Sequence, residues 1–411
     1  MNTSTLSALL GSLAMLTAIP AHALGANTNT QLKCFYKTNT ATNSPTHDYV
    51  WGRDPNSSMG LPYRISGNWW KDNFVDYKNA FLTNTTQDAL KAVCAYSFTK
   101  LGVTQPLAMM AAADTPASLN YMIWTNDSAF PSTKITKVIV FGDSVSDTMN
   151  MYNVTHWVVP NVNSYFLGHF TNNKVWDEYL TDALAMPNYN WAVGGATSDN
   201  STLIPGLITQ VQKHLDFVAS APNYRPANSL YTVLIGANDL IGSSPNVATV
   251  LANEQTALQN LINAGARNIL MLNMPDLSRA PKMSDAMGKT AADRLALQNN
   301  VLALNQGLIN LRDTLQAQYG PTLKIKLFDT KTVVDNLLSN SAQYGFNNTT
   351  QSCLNITTDS TTNYATSFSP RANCTDGDTF VFWDLLHPTT HSHKLIADQV
   401  IPFVQANFPV Q

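Results

Sequence analysis

Four short apolar runs in the last two thirds of the chain constrain its fold more than any other feature. They are "KVIVFGDS" from Lys137, "LYTVLIGAND" (230–239), "RNILMLNMPD" (267–276) and "LKIKLFDT" (323–330). Near-continuous Val, Ile and Leu marks strands covered on both faces, which is the habit of parallel sheets. Between the runs lie segments of helical period, "VATVLANEQTALQNLINAGA" (247–266) and "TAADRLALQNNVLALNQGLINLRDTLQAQYG" (290–320). Strands alternating with helices of that length require βαβ crossovers, so residues 135–411 are expected to form an α/β domain around a mainly parallel sheet. Pro388 ends one segment, and a last helix is expected through "THSHKLIADQVIPFVQANF".

Residues 25–130 have a different texture. Short patterned pieces rich in Pro and Gly surround the tryptophan pair in "ISGNWWKDNF", and only "TTQDALKAVCAYSF" reads as helical. This region is expected to be a small N-terminal domain, mostly β, joined to the rest by a linker over 126–137. "NWW" and "PLAMMAAA" (106–113) are expected in its core. At 411 residues the chain has room for two such units, and its 44% hydrophobic content can fill both interiors.

The first 23 residues read as an export signal. An apolar stretch, "LSALLGSLAMLTAIP", precedes small residues at Ala21 and Ala23, so cleavage is expected before Leu24. The segment is too short to span a bilayer. Export fits the four cysteines: an even number outside the reducing cytosol favours disulfides, and no C-x-x-C spacing suggests metal. Four cysteines allow three pairings; sequence neighbours close the smallest loops, giving Cys34–Cys94 and Cys353–Cys374. A net charge of −3 offers no electrostatic footprint for nucleic acid. The expected product is therefore a released extracellular protein.

Three features end strands or follow them: Ser144 in "FGDSVSD", Asn238 and Asp239 in "GAND", and Asp384–His387 in "WDLLHP". The carboxyl ends of parallel strands open on one crevice, which is where ligands bind in such sheets. Serine, asparagine, aspartate and histidine meeting there supply a nucleophile, an oxyanion donor, an orienting carboxylate and a base. "NWAVGGATSDN" (190–200) adds Gly194 and Gly195, whose backbone N–H groups are unobstructed by a Cβ. Asp384 and His387 lie three residues apart, so one turn can bring both side chains together. Asp143 and Asp147 read as supports, with Asp147 capping the segment that follows. Each piece alone has a plain structural reading as a cap or turn; the order and placement of all four give the chemistry its weight.

"FGDSVSD", "GGAT", "GAND" and "WDLLHP" resemble the four sequence blocks of the GDSL, or SGNH, lipase/esterase superfamily. The resemblance implies the SGNH-hydrolase fold, Ser144 as nucleophile, Asp384 and His387 as orienter and base, and Ser144, Gly195 and Asn238 as oxyanion donors. Longer stretches, "NSYFLGHFTNNKVWDEYL", "YNWAVGGAT" and "FVFWDLLHPTTHSH", are similar to the secreted bacterial phospholipases called thermolabile or lecithin-dependent hemolysins. "CFYKTNT", "NWWKD" and "LTNTTQDAL" resemble that group's extra domain. What this implies is phospholipase A and lysophospholipase activity without a cofactor, on phospholipid or lysophospholipid drawn from a membrane surface. Likeness to glycerophospholipid:cholesterol acyltransferases adds a sterol as a possible acyl acceptor, and implies that the Cys353–Cys374 loop is a site of activating cleavage.

Three other readings compete. An α/β-hydrolase needs G-x-S-x-G, and here Ser146 replaces the last glycine. A zinc phospholipase C or phosphodiesterase would use Asp384, His387, His391 and His393; Pro388 spoils the i,i+4 geometry, and His391 and His393 are expected to be solvated helix residues. A non-enzymatic lipid-binding lytic protein would act through the tryptophan-rich domain.

Overall fold

The computed structural model describes residues 26–70, 79–127 and 134–410. The expected export signal (1–23) and the middle of the expected linker (128–133) lie outside the described residues. The N-terminal region contains β1 (Thr28–Lys37), β2 (His47–Trp51), β3 (Arg64–Trp70), β4 (Ala80–Thr83), α1 (Gln87–Leu101), β5 (Pro106–Ala113) and β6 (Met122–Thr125). These six strands form one mostly antiparallel sheet, with β1 pairing β2, β3 and β5. Thr86 caps α1 by accepting from the Ala89 N–H, and Gly102 closes it in the left-handed conformation. A disulfide between Cys34 on β1 and Cys94 on α1 fixes the helix to the sheet.

The remainder contains β7 (Lys137–Gly142), α2 (Asn150–Val154), α3 (Trp176–Ala183), β8 (Asn188–Asn190), α4 (Leu207–Ala219) and β9 (Ser229–Leu234). It continues with α5 (Ala237–Ile241), α6 (Val247–Asn263), β10 (Asn268–Leu272), α7 (Ala291–Tyr319), β11 (Lys324–Phe328), α8 (Thr330–Ser339), β12 (Asn348–Ser352), β13 (Phe380–Phe382) and α9 (Thr390–Asn407). Strands β7 to β11 form a five-stranded sheet in the order β11-β10-β9-β7-β8, all parallel. Every residue of β7, β9 and β10 is buried, because α4, α6 and α7 pack together on one side while α3, α8 and α9 pack on the other. The result is a three-layer α/β/α domain, built on the parallel sheet expected from the apolar runs and matching the SGNH-hydrolase fold that the resemblance implies. From β7 the chain moves to one edge of the sheet, and from β9 it moves to the other. That reversal puts the topological switch point between the carboxyl ends of β7 and β9.

The two regions share a core. Trp70, Ala80, Leu82 and Trp124 of the N-terminal sheet belong to the same buried cluster as β7, β9 and β10. Trp124 stacks on Tyr189 at 3.9 Å between ring centroids, and the Trp70 indole N–H donates to Ser220 Oγ at 2.9 Å. Such ring pairs contribute about 0.5–1.5 kcal/mol beyond their buried area. At the described ends of the linker, Asp127 and Lys137 form a buried ion pair. "NWW" and "PLAMMAAA" are largely interior, with Trp69, Trp70 and Ala111–Ala113 buried. Among the described residues no helix is long and apolar enough to cross a membrane.

Candidate active site

Ser144 stands two residues beyond the end of β7, at the switch point. Gly142, the last residue of β7, passes so close to β9 that a Cβ on it would lie 2.5 Å from the Leu234 carbonyl oxygen. The buried Gln210 side chain braces the same glycine from α4, accepting from its N–H at 3.0 Å and donating to its carbonyl at 2.8 Å. Nothing in the sequence near Ser144 signals this support, which comes from 68 residues away.

His387 and Asp384 reach Ser144 from the turn after β13. Ser144 Oγ lies 2.6 Å from His387 Nε2, and His387 Nδ1 lies 2.7 Å from Asp384 Oδ2. A carboxylate oxygen only accepts, so Nδ1 carries the proton and Nε2 presents its lone pair to the serine hydroxyl. The turn is closed by Asp384 itself, whose Oδ1 accepts from the Leu386 and His387 N–H groups at 2.7 Å each. Tyr165 donates to Oδ2 at 2.8 Å. Burial disfavours the Asp384 anion, yet the His387 ring and the two backbone donors outweigh it and hold the carboxyl below the ordinary aspartate value. All three side chains are buried, with Ser144 the most accessible at 6%.

Gly195 and Asn238 are tied into the same assembly from both sides. Asp147 accepts from the Gly194 N–H at 2.7 Å, and Asn238 Nδ2 donates to the Ala196 carbonyl at 2.8 Å. Gly195 sits between these anchors at φ 80°, a left-handed conformation that favours glycine. Asp147 also accepts from the Asn150 and Met151 N–H groups at the start of α2. It therefore caps the segment after Ser144, as expected, and in addition joins it to the double-glycine loop. Asp143 is buried with Oδ1 accepting from the Val145 N–H at 3.1 Å, and burial pushes its carboxyl up to about 6.

Beside Ser144 and Asn238 opens a cavity of about 80 Å³ whose walls are apolar, among them Leu234, Leu272, Met274, Leu338, Phe382 and Ile396. Among the described residues that line it, neither His387 nor Gly195 appears. The Cys353–Cys374 disulfide forms as expected, and its loop delivers Tyr364 to 5.5 Å from the His387 ring. Phe170 packs on that ring at 5.1 Å.

The neighbouring histidines correct one expectation. His391 is half-buried with Nε2 2.9 Å from the Tyr344 carbonyl, and His393 is buried rather than solvated. The cause is the packing of α9 on α3, where Thr390 at the start of α9 meets the Tyr179 hydroxyl at 2.8 Å; burial pushes the His393 imidazole down to about 3. His387 has both nitrogens engaged by Ser144 and Asp384, so the three histidines do not converge on a common point. Tyr165, Phe170, Gln210 and Tyr364 were not foreseeable, since each acts through a contact distant in sequence.

Comparison with known proteins agrees with this geometry. The family profile described as GDSL-like Lipase/Acylhydrolase matches residues 138–400, and that described as Vibrio dual lipase/transferase, N-terminal domain, matches residues 11–126. The thermolabile hemolysin of Vibrio parahaemolyticus is 35% identical over 379 residues, covering 91% of this chain and 87% of its own. The secreted effector protein SseJ of Salmonella typhimurium is 28% identical over 67% of this chain and 65% of its own. The phosphatidylcholine-sterol acyltransferase of Aeromonas hydrophila is 25% identical over 66% of this chain and 91% of its own. The chain belongs to the GDSL-like lipase/acylhydrolase family and is a carboxylic ester hydrolase.

Proposed function

We propose that the protein is an exported phospholipase A and lysophospholipase that works through an acyl-enzyme on Ser144. The observation that carries the reading is the hydrogen-bonded chain Asp384–His387–Ser144, at 2.7 and 2.6 Å, opening onto an apolar cavity suited to the first carbons of an acyl chain. As Ser144 Oγ attacks the ester carbon, its proton passes to His387 Nε2 and the carbonyl oxygen becomes an oxyanion. The Ser144 and Gly195 N–H groups and Asn238 Nδ2 are assigned to hold that oxygen. Collapse expels the glyceryl oxygen, which takes the proton from His387 and leaves the acyl group on Ser144. Water then attacks, giving its proton to His387, and the fatty acid departs as Ser144 is reprotonated. A sterol hydroxyl entering in place of water would give a sterol ester by the same step.

The glycerophospholipid class is supported by the name of the phosphatidylcholine-sterol acyltransferase among the relatives, and a lipid ester more broadly by the dual lipase/transferase description of the N-terminal match. Two disulfides with no free cysteine among the described residues support an oxidising destination. We assign residues 1–23 to the export signal, 25–130 to a small N-terminal domain and 135–411 to the SGNH hydrolase domain. The test is product analysis with purified wild type and Ser144→Ala on phosphatidylcholine and lysophosphatidylcholine vesicles, with and without cholesterol. Free fatty acid from wild type alone is expected, with cholesteryl ester when sterol is present. Phosphocholine release, or lysis that persists in Ser144→Ala, would contradict the proposal.

A further inference from the structure

We infer that His169 is a buried imidazolium, protonated on both ring nitrogens, and that it is a positioning residue for the Ser144–His387–Asp384 assembly. The role presupposes the serine mechanism above; the protonation state does not.

The protonation follows from what surrounds the ring. His169 is fully buried. Its Nδ1 lies 3.0 Å from the Phe166 carbonyl oxygen and 3.1 Å from that of Leu167, and its Nε2 lies 3.0 Å from Glu178 Oε2. Carbonyl and carboxylate oxygens accept and do not donate. That same Oε2 already accepts the Val175 N–H at 3.0 Å, so it is an acceptor on both counts. A neutral imidazole has one N–H, and either tautomer of this fully buried ring would aim a lone pair at an oxygen lone pair. Only the imidazolium satisfies both ends.

The titratable neighbours agree. Burial works against the charge, but Glu178 on α3, the Leu167 carbonyl and Asp147 after β7 outweigh it and raise the His169 pKa. The like-charged candidates facing it, His47 on β2 and His393 on α9, are pushed down first by burial and so stay neutral beside it.

What the ring holds is the segment 165–172. Its backbone passes through two consecutive left-handed residues, Leu167 at φ 43° and Gly168 at φ 78°, and Leu167 is strained there. His169 binds the carbonyl that enters that bend, Phe166, and the one within it, Leu167. The segment then grips the active site at several points. Tyr165 donates to Asp384 Oδ2, and Phe170 packs on the His387 ring. Phe170 also fills the space against Gly194, where a Cβ would lie 2.2 Å from the ring. Thr171 Oγ1 donates to the Pro388 carbonyl at 2.8 Å, directly after His387. Releasing the bend would loosen the acid, the base and the double-glycine loop together.

The pH sign is fixed by the raised pKa. The contribution of His169 is fully present below its unfolded value near 6.5 and is lost as pH rises through the higher folded value. Nitrogen-15 NMR of histidine-labelled wild type at pH 7 should show both His169 ring nitrogens protonated; one unprotonated nitrogen overturns the assignment. Glu178→Gln removes the paired charge and should lower the His169 titration by about 1 unit or more. The alkaline limb of its kcat–pH profile should move down by the same amount, and His169→Arg should move that limb up. A Glu178→Gln profile superimposing on wild type refutes the positioning role, even if His169→Arg does not fold. Because the NMR reading makes no use of catalysis, failure of the serine mechanism and failure of the imidazolium assignment are distinguishable.

Discussion

Replacing Asp384 by asparagine should abolish turnover while leaving the fold intact, and the structure shows why. The carboxylate accepts four hydrogen bonds: two from backbone N–H groups on Oδ1, and two from His387 Nδ1 and Tyr165 on Oδ2. An amide has a single acceptor oxygen. Placing its NH₂ against the two backbone donors at 2.7 Å would leave buried groups unpaired, at a cost of about 1–3 kcal/mol each. The amide therefore keeps its oxygen at the Oδ1 position and turns its NH₂ toward His387. There it donates to Nδ1, which drives the imidazole proton to Nε2, facing Ser144. A protonated Nε2 cannot accept the serine proton. In serine hydrolases this wrong-tautomer change lowers kcat by about 10⁴, equivalent to ~5 kcal/mol at 1.36 kcal/mol per tenfold. Tyr165 can rotate its hydroxyl to accept from the amide, so the melting temperature should stay close to wild type. Saturating hydrolysis of a nitrophenyl butyrate, with thermal melts of both proteins, gives the comparison. A well-folded Asp384→Asn enzyme losing less than about tenfold would refute the tautomer argument.

Other consequences follow from the same contacts. Asn238→Ala should lower kcat by about 10²–10³ with little change in KM, as expected for one oxyanion donor, measured by steady-state kinetics on the same ester. Asp147 takes the Asn150 N–H on Oδ1 and the Met151 and Gly194 N–H groups on Oδ2, so Asp147→Asn sets its NH₂ against at least one of these donors and loosens the α2 cap or the Gly194 tie; steady-state kinetics on the same ester should show kcat lower by about tenfold or more. Burial lifts the Glu254 carboxyl to about 8, so its contribution is fully present below its unfolded value near 4.5 and lost as pH rises through 8. The Glu254→Gln melting temperature should accordingly overtake wild type by roughly a few °C between pH 5 and pH 9, and parallel curves would contradict this.

Much of the site was legible because its chemistry is written in short local blocks. Ser144, Asp384 and His387 each follow an apolar strand or close one turn, and the parallel-sheet pattern already implied that such ends meet. Strands β7, β9 and β10 declared themselves by near-continuous apolar runs and β11 by Ile325, Leu327 and Phe328 set among two lysines, whereas β8, "NYN", did not. It has three residues, two of them asparagines: Asn190 accepts from Asn150 and the Ala192 N–H, and Asn188 donates to Asp177. The helix α4 lies outside the expected helices although its sequence carries apolar residues at Leu207, Val211, Leu215 and Val218, a readable helical spacing. His393 misled because its neighbours are polar; its burial depends on α3, more than two hundred residues earlier. Gln210, Tyr165 and Phe170 act through contacts distant in sequence, whereas His169 meets Phe166, Leu167 and Glu178 nearby, and nothing in the spacing of these residues says that the segment braces Asp384 and His387.

The central claim is that an acyl group passes through Ser144. Rapid mixing of the enzyme with a slowly deacylating ester, acid quenching and peptide mapping by mass spectrometry test it most directly. An acyl mass on the peptide containing Ser144, formed at a rate at least equal to kcat and absent from Ser144→Ala, is the predicted result. Full turnover with no adduct on Ser144, or an adduct that survives the Ser144→Ala change, would contradict the account.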